Sequence, residues 1–178
     1  MDKKLNAELA SAASEGDTGA FARLYERVHK QMYYYALANL GSAEDAADAV
    51  QDAALTAFGS IQNLRDPGAF DSWLFKILVN IVKQRQKEYA IDREHIQNAD
   101  PSAIITEGGF GRLEILSELA ELSHDERQCL TLYGVAGYSS GEIAKITGMK
   151  SSTVRSHIAR GRAKLRKGMK RNKKEVIK

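Results

Sequence analysis

Cysteine, proline and long apolar runs are scarce in this sequence, and each scarcity excludes something. Cys129 is the only cysteine in 178 residues, which rules out an internal disulfide and a cysteine zinc cluster and fits a reducing compartment. Between Gln128 and Leu130 it reads as a small buried hydrophobe. Only two prolines occur, so with Ala, Leu, Ile, Glu, Lys and Arg abundant the backbone is free to be helical almost throughout, and an all-α fold is expected. No run approaches the roughly 18 apolar residues of a membrane span, and the opening Met1-Asp2-Lys3-Lys4-Leu5 lacks a signal peptide's apolar stretch. A soluble cytoplasmic protein without membrane insertion is expected. The four histidines, His29, His95, His124 and His157, stand at no metal-ligand spacing, so neither a metal nor another cofactor is expected. His124 and Cys129 come nearest to a catalytic pair, but they lie five residues apart across a helix cap and align poorly, which argues against an enzyme.

The net charge of +3 hides a division along the chain. Of 26 Lys and Arg, 13 fall in residues 145–178 against Glu175 alone, whereas residues 1–144 hold 22 of the 23 Asp and Glu. An acidic helical body suits a protein surface, and a basic block with helical patterning suits a polyanion. The last nine residues, 170–178, read as a basic solubilising tail.

Helices fall into two groups. Ala7–Ser14 reads as a short helix ended by Gly16, and the apolar face of Phe21, Leu24, Tyr25 and Val28 begins a second that runs to Leu40, where Gly41 stops it. Ser42 offers an N-cap to an alanine-rich helix through Phe58, ended by Gly59, which carries Glu44, Asp45, Asp48 and Asp52 and no basic residue. A loop with the turn signal Asp66-Pro67-Gly68 follows. A helix from Phe70 to Lys87 then has an apolar first half and polar or basic positions at 76, 80, 83, 84 and 87 on one face. From about Ile91 to Gly111 breakers dominate, so this is a linker, with a short helical piece near Ile104. The tyrosines at 33–35 read as packing and helix surface, and Trp73 as core rather than a stacking platform.

The second group is more diagnostic. Leu113–Leu122 forms a helix, Ser123 caps another over Asp125–Gly134, and Ser139 with Glu142 forms a capping box for a third that Gly148 stops. The next helix, from Met149 to Lys167, buries Val154, Ile158 and Leu165 and shows an otherwise basic face. Ile143, Ile146 and Val154 around the Gly148 turn pack two helices at an open angle, a helix-turn-helix. A helix fits the major groove of about 12 Å, with base edges met near its N-terminus. Ser151, Ser152, Thr153, Arg155, Ser156 and His157 stand there; Arg160, Arg162, Lys164 and Arg166 are better placed for phosphates.

Residues 15–169 resemble the sigma-70 superfamily, specifically the extracytoplasmic-function (ECF) sigma factors of regions 2 and 4 alone. Leu122–Gln128, Gly137–Ala144 and Thr153–Arg162 are similar to region 4, which in the family reads the minus-35 element. Ala43–Asp52 is similar to region 2.2, which docks on the β′ clamp of core RNA polymerase, so Glu44, Asp45, Asp48, Gln51 and Asp52 acquire a partner. Trp73–Ile77 with Val79-Asn80 resembles region 2.4, which with the preceding loop engages the minus-10 element and captures a flipped base. Unstacking a base costs a few kcal/mol, so a pocket and a cation-lined path are needed; the candidates are Asn63, Arg65, Asp66, Phe70, Lys76, Asn80 and Lys83. Ala54, Gly59-Ser60 and His157 depart from the family pattern, the first two where β′ contacts fall and the third where Arg or Lys is common.

The resemblance implies two small helical domains on a flexible linker: region 2 over 1–90, linker 91–111, region 4 over 112–169. It implies a sigma factor that works with bacterial core RNA polymerase, through the β′ clamp and β flap, on promoter DNA, and that an anti-sigma factor sequesters. A linker of about 21 residues reaches at most about 70–75 Å, enough to span elements one to two helical turns of about 34–36 Å apart. The rival is a stand-alone helix-turn-helix regulator binding an operator without polymerase, which leaves the acidic helix and the second basic helix unexplained.

Overall fold

A computed structural model describes residues 3–95 and 110–175, with side chains over 4–90 and 115–171. The described residues form eight α-helices and no strand: α1 (Lys3–Ser14), α2 (Thr18–Leu40), α3 (Ala43–Ser60), α4 (Phe70–His95), α5 (Phe110–Ala120), α6 (His124–Gly134), α7 (Ser140–Thr147) and α8 (Ser151–Glu175). Two short 3-10 turns, Ile61–Asn63 and Pro67–Ala69, connect α3 to α4. The helical piece expected near Ile104 lies outside the described residues.

Local chemistry sets the boundaries. Asp17 accepts from the Ala20 amide and Ser42 from that of Asp45, satisfying N–H groups that have no helical partner. Ser123 with Glu126 and Ser139 with Glu142 form complete capping boxes. Gly41 and Gly148 close α2 and α7 in the left-handed region at φ 77° and 78°, each amide donating back to the last turn, a geometry that an L side chain resists.

Several boundaries differ from expectation: α1 begins at Lys3 rather than Ala7, and α5 covers Phe110–Ala120 rather than Leu113–Leu122, so it starts inside the expected linker. Gly59 lies inside α3, which continues to Ser60. Helix α4 runs on to His95 and α8 to Glu175, past the expected ends at Lys87 and Lys167. No proline interrupts either stretch; beyond Lys87, Glu88, Ala90 and Arg93 are good helix formers, and beyond Lys167 the Lys and Arg residues also suit the negative end of the helix dipole.

The first four helices pack around Leu24, Met32, Tyr35, Phe70, Leu74, Phe75 and Leu78; in the second group Leu132, Ile143, Ile146, Val154 and Ile158 hold α6, α7 and α8 together. The two groups also touch. Helix α2 packs on α6 and α4 on α7. Asn39 Nδ2 donates to Thr131 Oγ1 at 3.1 Å, Gln128 Nε2 donates to the buried Tyr35 hydroxyl at 3.4 Å, and the rings of Phe75 and Tyr138 meet edge to face at 5.2 Å. Gln86 donates to the Asn39 carbonyl at 2.7 Å, yet Asn39 Oδ1 and Gln86 Oε1 are buried without a partner. Burial pushes the Tyr138 hydroxyl up, reinforced by Asp71 and Glu142.

Cys129 is fully buried, 3.9 Å from the Met149 sulfur, and burial pushes its thiol up to about 11, with Asp125 adding to the shift. The native protein at pH 8 is therefore expected to resist Ellman's reagent, with one thiol titrating only after unfolding in urea. Rapid labelling of the native chain would contradict this placement. Because the neutral thiol is the favoured form, its contribution to stability is complete below the ordinary thiol range and is lost as pH rises through about 11.

Candidate functional site

Three surfaces carry the candidate residues. The first is the helix-turn-helix. Ile143 and Ile146 of α7 and Val154 and Ile158 of α8 are buried together, and Gly148 makes the turn between them. At the start of α8, Ser152, Thr153, Arg155 and Ser156 are exposed, while Ser151 and His157 are half-buried. Gly161 lies where α8 crosses α6: a Cβ there would stand 3.3 Å from Leu130 Cδ2 and 3.4 Å from the Glu126 carbonyl oxygen. The helices can approach this closely because residue 161 has no side chain.

The basic residues of α8 do not form one set. Lys164 Nζ lies 2.7 Å and Arg160 Nε 3.9 Å from the carboxylate of Glu126, which is 4 % exposed. A hydrogen bond from Lys164 is the main reason that carboxyl titrates low. His157 Nε2 lies 3.9 Å from Asp125, and Arg171 3.7 Å from buried Glu118. Arg162 instead sits over the Tyr133 ring, 4.8 Å from its centroid, and the Arg155 guanidinium donates to the Ser151 hydroxyl at 3.1 Å.

The second surface is α3. Glu44, Asp48, Gln51 and Asp52 are exposed and Asp45 is half-buried. One of these carboxylates is paired with Arg85 of α4, that of Asp52 at 2.5 Å, and the same guanidinium donates to the backbone carbonyl of Asp45 at 3.3 Å. Burial alone would lower the Arg85 guanidinium, but Asp52 outweighs it and the net shift is upward. Sequence reasoning missed Leu55 and Phe58, which stand 64 % and 49 % exposed. With Glu44, Asp48 and Gln51 they follow at i, i+4, i+7, i+11 and i+14, one continuous stripe. The signal was present as two large apolar residues amid alanines on an otherwise acidic face.

The third surface joins the α3–α4 loop to α4. Ile61 and Phe70 are buried at its two ends, and between them Gln62, Asn63, Arg65, Asp66 and Gly68 are exposed. Asp66 accepts from the Gly68 amide at 2.9 Å, and Pro67 presets the following 3-10 turn. Lys76, Asn80 and Lys83 are exposed at i, i+4 and i+7 of α4, continuing the polar surface. Phe70 requires correction as a DNA contact: it is 1 % exposed, its ring against Phe21 and Trp73 at 6.0 Å each. Apolar burial wins at this position, so Phe70 anchors the loop. Trp73 is half-buried, packed against the core as expected.

Among the described residues no group of three or more metal-ligating side chains occurs. None of the described helices is long and apolar enough to cross a membrane.

Comparison with known proteins gives a consistent result. A family model described as Sigma-70 region 2 matches residues 24–89, and one described as Sigma-70, region 4 matches residues 112–165. The ECF RNA polymerase sigma factor SigM of Mycobacterium tuberculosis is 32 % identical over 164 residues, 92 % of this chain and 84 % of that protein. The ECF RNA polymerase sigma factor EcfG of Rhodopseudomonas palustris is 31 % identical, over 74 % of this chain and 75 % of that one. Among solved structures, the sigma factor RpoE of Bartonella quintana, in complex with the anti-sigma factor NepR, superposes with a TM-score of 0.76 at 23 % identity, covering 84 % of this chain and 96 % of that one. CnrH, in complex with the cytosolic domain of CnrY, gives 0.72 at 24 % identity over 94 % and 98 %.

Proposed function

This chain belongs to the sigma-70 family as an ECF sigma factor, a protein that binds core RNA polymerase and directs transcription initiation, and we propose how its surfaces divide that work. The helices α1–α4, to His95, act as region 2 and α5–α8, from Phe110, as region 4, joined by residues 96–109. The stripe of Glu44, Asp48, Gln51, Leu55 and Phe58 on α3 docks on the β′ clamp, its acidic end suiting a basic partner and its apolar end supplying desolvated contact area. Region 4 meets the β flap. The loop residues Asn63, Arg65 and Asp66 with Lys76, Asn80 and Lys83 on α4 engage the minus-10 element and the separated strand. Ser151, Ser152, Thr153 and Ser156 meet base edges of the minus-35 element, and Arg155, Arg162 and Arg166 reach its phosphates.

The observation that carries this reading is the combination, in one chain, of a helix-turn-helix with exposed polar residues at the entry of α8 and a separate acidic-apolar stripe on α3. A lone operator-binding regulator needs only the first. The protein works in the cytoplasm, without catalysis of its own. An anti-sigma factor holds it inactive, a reading supported by the complexes in which RpoE and CnrH were solved.

In vitro transcription with core RNA polymerase on fragmented host DNA tests the reading. Discrete transcripts are expected only when the protein is added, starting downstream of a shared pair of elements. Specific duplex binding by the protein alone, with no new transcript, would replace it with the stand-alone regulator.

A further inference from the structure

Helix α8 carries two basic flanks on either side of its buried seam. His157, Arg160, Lys164 and Arg171 follow at i, i+3, i+7 and i+14 on one flank; Arg155, Arg162 and Arg166 follow at i, i+7 and i+11 on the other. Carboxylates lie beneath the first: Asp125 by His157, Glu126 by Arg160 and Lys164, Glu118 by Arg171. Among the described residues no ion pair reaches Arg155, Arg162 or Arg166.

We infer that Glu126 is an internal counter-ion that withdraws Arg160 and Lys164 from the DNA phosphates, so that Arg155, Arg162 and Arg166 on the opposite flank set the electrostatic footprint of α8. The inference rests on the reading of α8 as the minus-35 helix. Glu126 is held in place on its own account: its carboxylate accepts from the Ser123 amide at 3.2 Å as half of the α6 capping box, and its side chain is almost wholly buried. Moving Lys164 to a phosphate would leave that buried charge uncompensated, a costly state. Lys164 and Arg160 keep 54 % and 59 % of their side chains exposed, so what holds them is the burial of Glu126 and not exclusion of water from the cations. The competing phosphate is itself in water and screened by salt. The internal pair therefore wins, and two cations that lengthen the basic run in the sequence add nothing to phosphate binding. Glu126 is a specificity-determining residue in this sense: it lowers sequence-independent attraction and leaves the base contacts at the start of α8 with a larger share of the affinity.

The test is the salt dependence of promoter binding by the holoenzyme reconstituted from core polymerase and the full chain. Each neutralised phosphate contributes about 0.9 to the slope of log Kobs against log salt. Arg155→Gln, Arg162→Gln and Arg166→Gln are each expected to make the slope shallower by about 0.9, whereas Arg160→Gln and Lys164→Gln, whose new amides can still donate to Glu126, change it by less than about 0.3. Glu126→Gln, which keeps an oxygen for the Ser123 amide, is expected to steepen it by about 0.9–1.8 as one or both cations turn to the DNA. A shallowing by Lys164→Gln or Arg160→Gln equal to that of Arg155→Gln overturns the inference. If Glu126→Gln does not fold, the exposed-residue variants decide alone. A wild-type chain that confers no promoter binding on core polymerase overturns the sigma assignment of α8 and the inference with it.

Discussion

Phe75→Ala is expected to lower the free energy of unfolding by about 3–5 kcal/mol, as large a loss as one core truncation produces. The ring is 1 % exposed and meets two others edge to face, Tyr35 of α2 at 6.2 Å and Tyr138, just before α7, at 5.2 Å. Truncation removes the buried area, leaves a cavity and breaks two ring contacts worth about 0.5–1.5 kcal/mol each beyond area. Its position adds a second effect. Since Phe75 belongs to the first helical group and Tyr138 to the second, the substitution loosens the join as well as the core of α1–α4. Urea unfolding followed by circular dichroism measures the first effect. The second appears as two separated transitions where the wild type shows fewer. A loss under 1 kcal/mol would mean that the ring is not packed as described.

Leu55→Arg is expected to do the opposite: leave the fold intact and weaken core polymerase binding about 30- to 150-fold. Leu55 is 64 % exposed on α3, and exposed substitutions away from caps and buried pairs usually shift stability by less than about 0.5 kcal/mol. In a docked complex the same side chain lies in the apolar half of the stripe, between Gln51 and Phe58. Losing an anchor that becomes buried on docking costs about 2–3 kcal/mol, and about 1.4 kcal/mol corresponds to tenfold in affinity. Arginine also places a cation against a partner that the acidic end of α3 implies is basic. Titration of labelled protein with core polymerase, beside an unfolding curve for each chain, separates the two outcomes. Unchanged affinity would move the docking surface off this face of α3.

The two predictions differ in how readily the sequence announced them. Helix boundaries were legible wherever a cap chemistry exists: Ser42, Ser123 and Ser139 accept the amides that their spacing predicts, and Gly41 and Gly148 take the left-handed turns that only glycine adopts cheaply. Periodicity likewise located Val154, Ile158 and the buried seam of α8. What it could not supply was pairing between distant elements. Lys164 and Glu126 are 38 residues apart and Asn39 and Thr131 are 92 apart, and nothing in local spacing says which polar side chains meet. Hence Arg160 and Lys164 read as free cations, and Tyr35 as one of three similar tyrosines although it alone is completely buried. Phe70 misled for another reason: the resemblance to region 2.4 put it among the minus-10 contacts, while its packing against Phe21 and Trp73 makes it the anchor of the loop. The α3 stripe was half legible, since acids of one sign stand out in a sequence and two apolar residues among alanines do not.

The join between the helical groups has a kinetic consequence. Asn39 Oδ1 is enclosed beside it with no donor to satisfy it, and such an atom costs about 1–3 kcal/mol relative to hydration. Parting the two groups returns this atom to water, which offsets part of the apolar area exposed. Separation is thus cheaper than melting either group, and it forms its own unit of opening below the global limit. Amide hydrogens screened only by the join, on the facing sides of α2 and α6, will exchange with deuterium ahead of those inside either core.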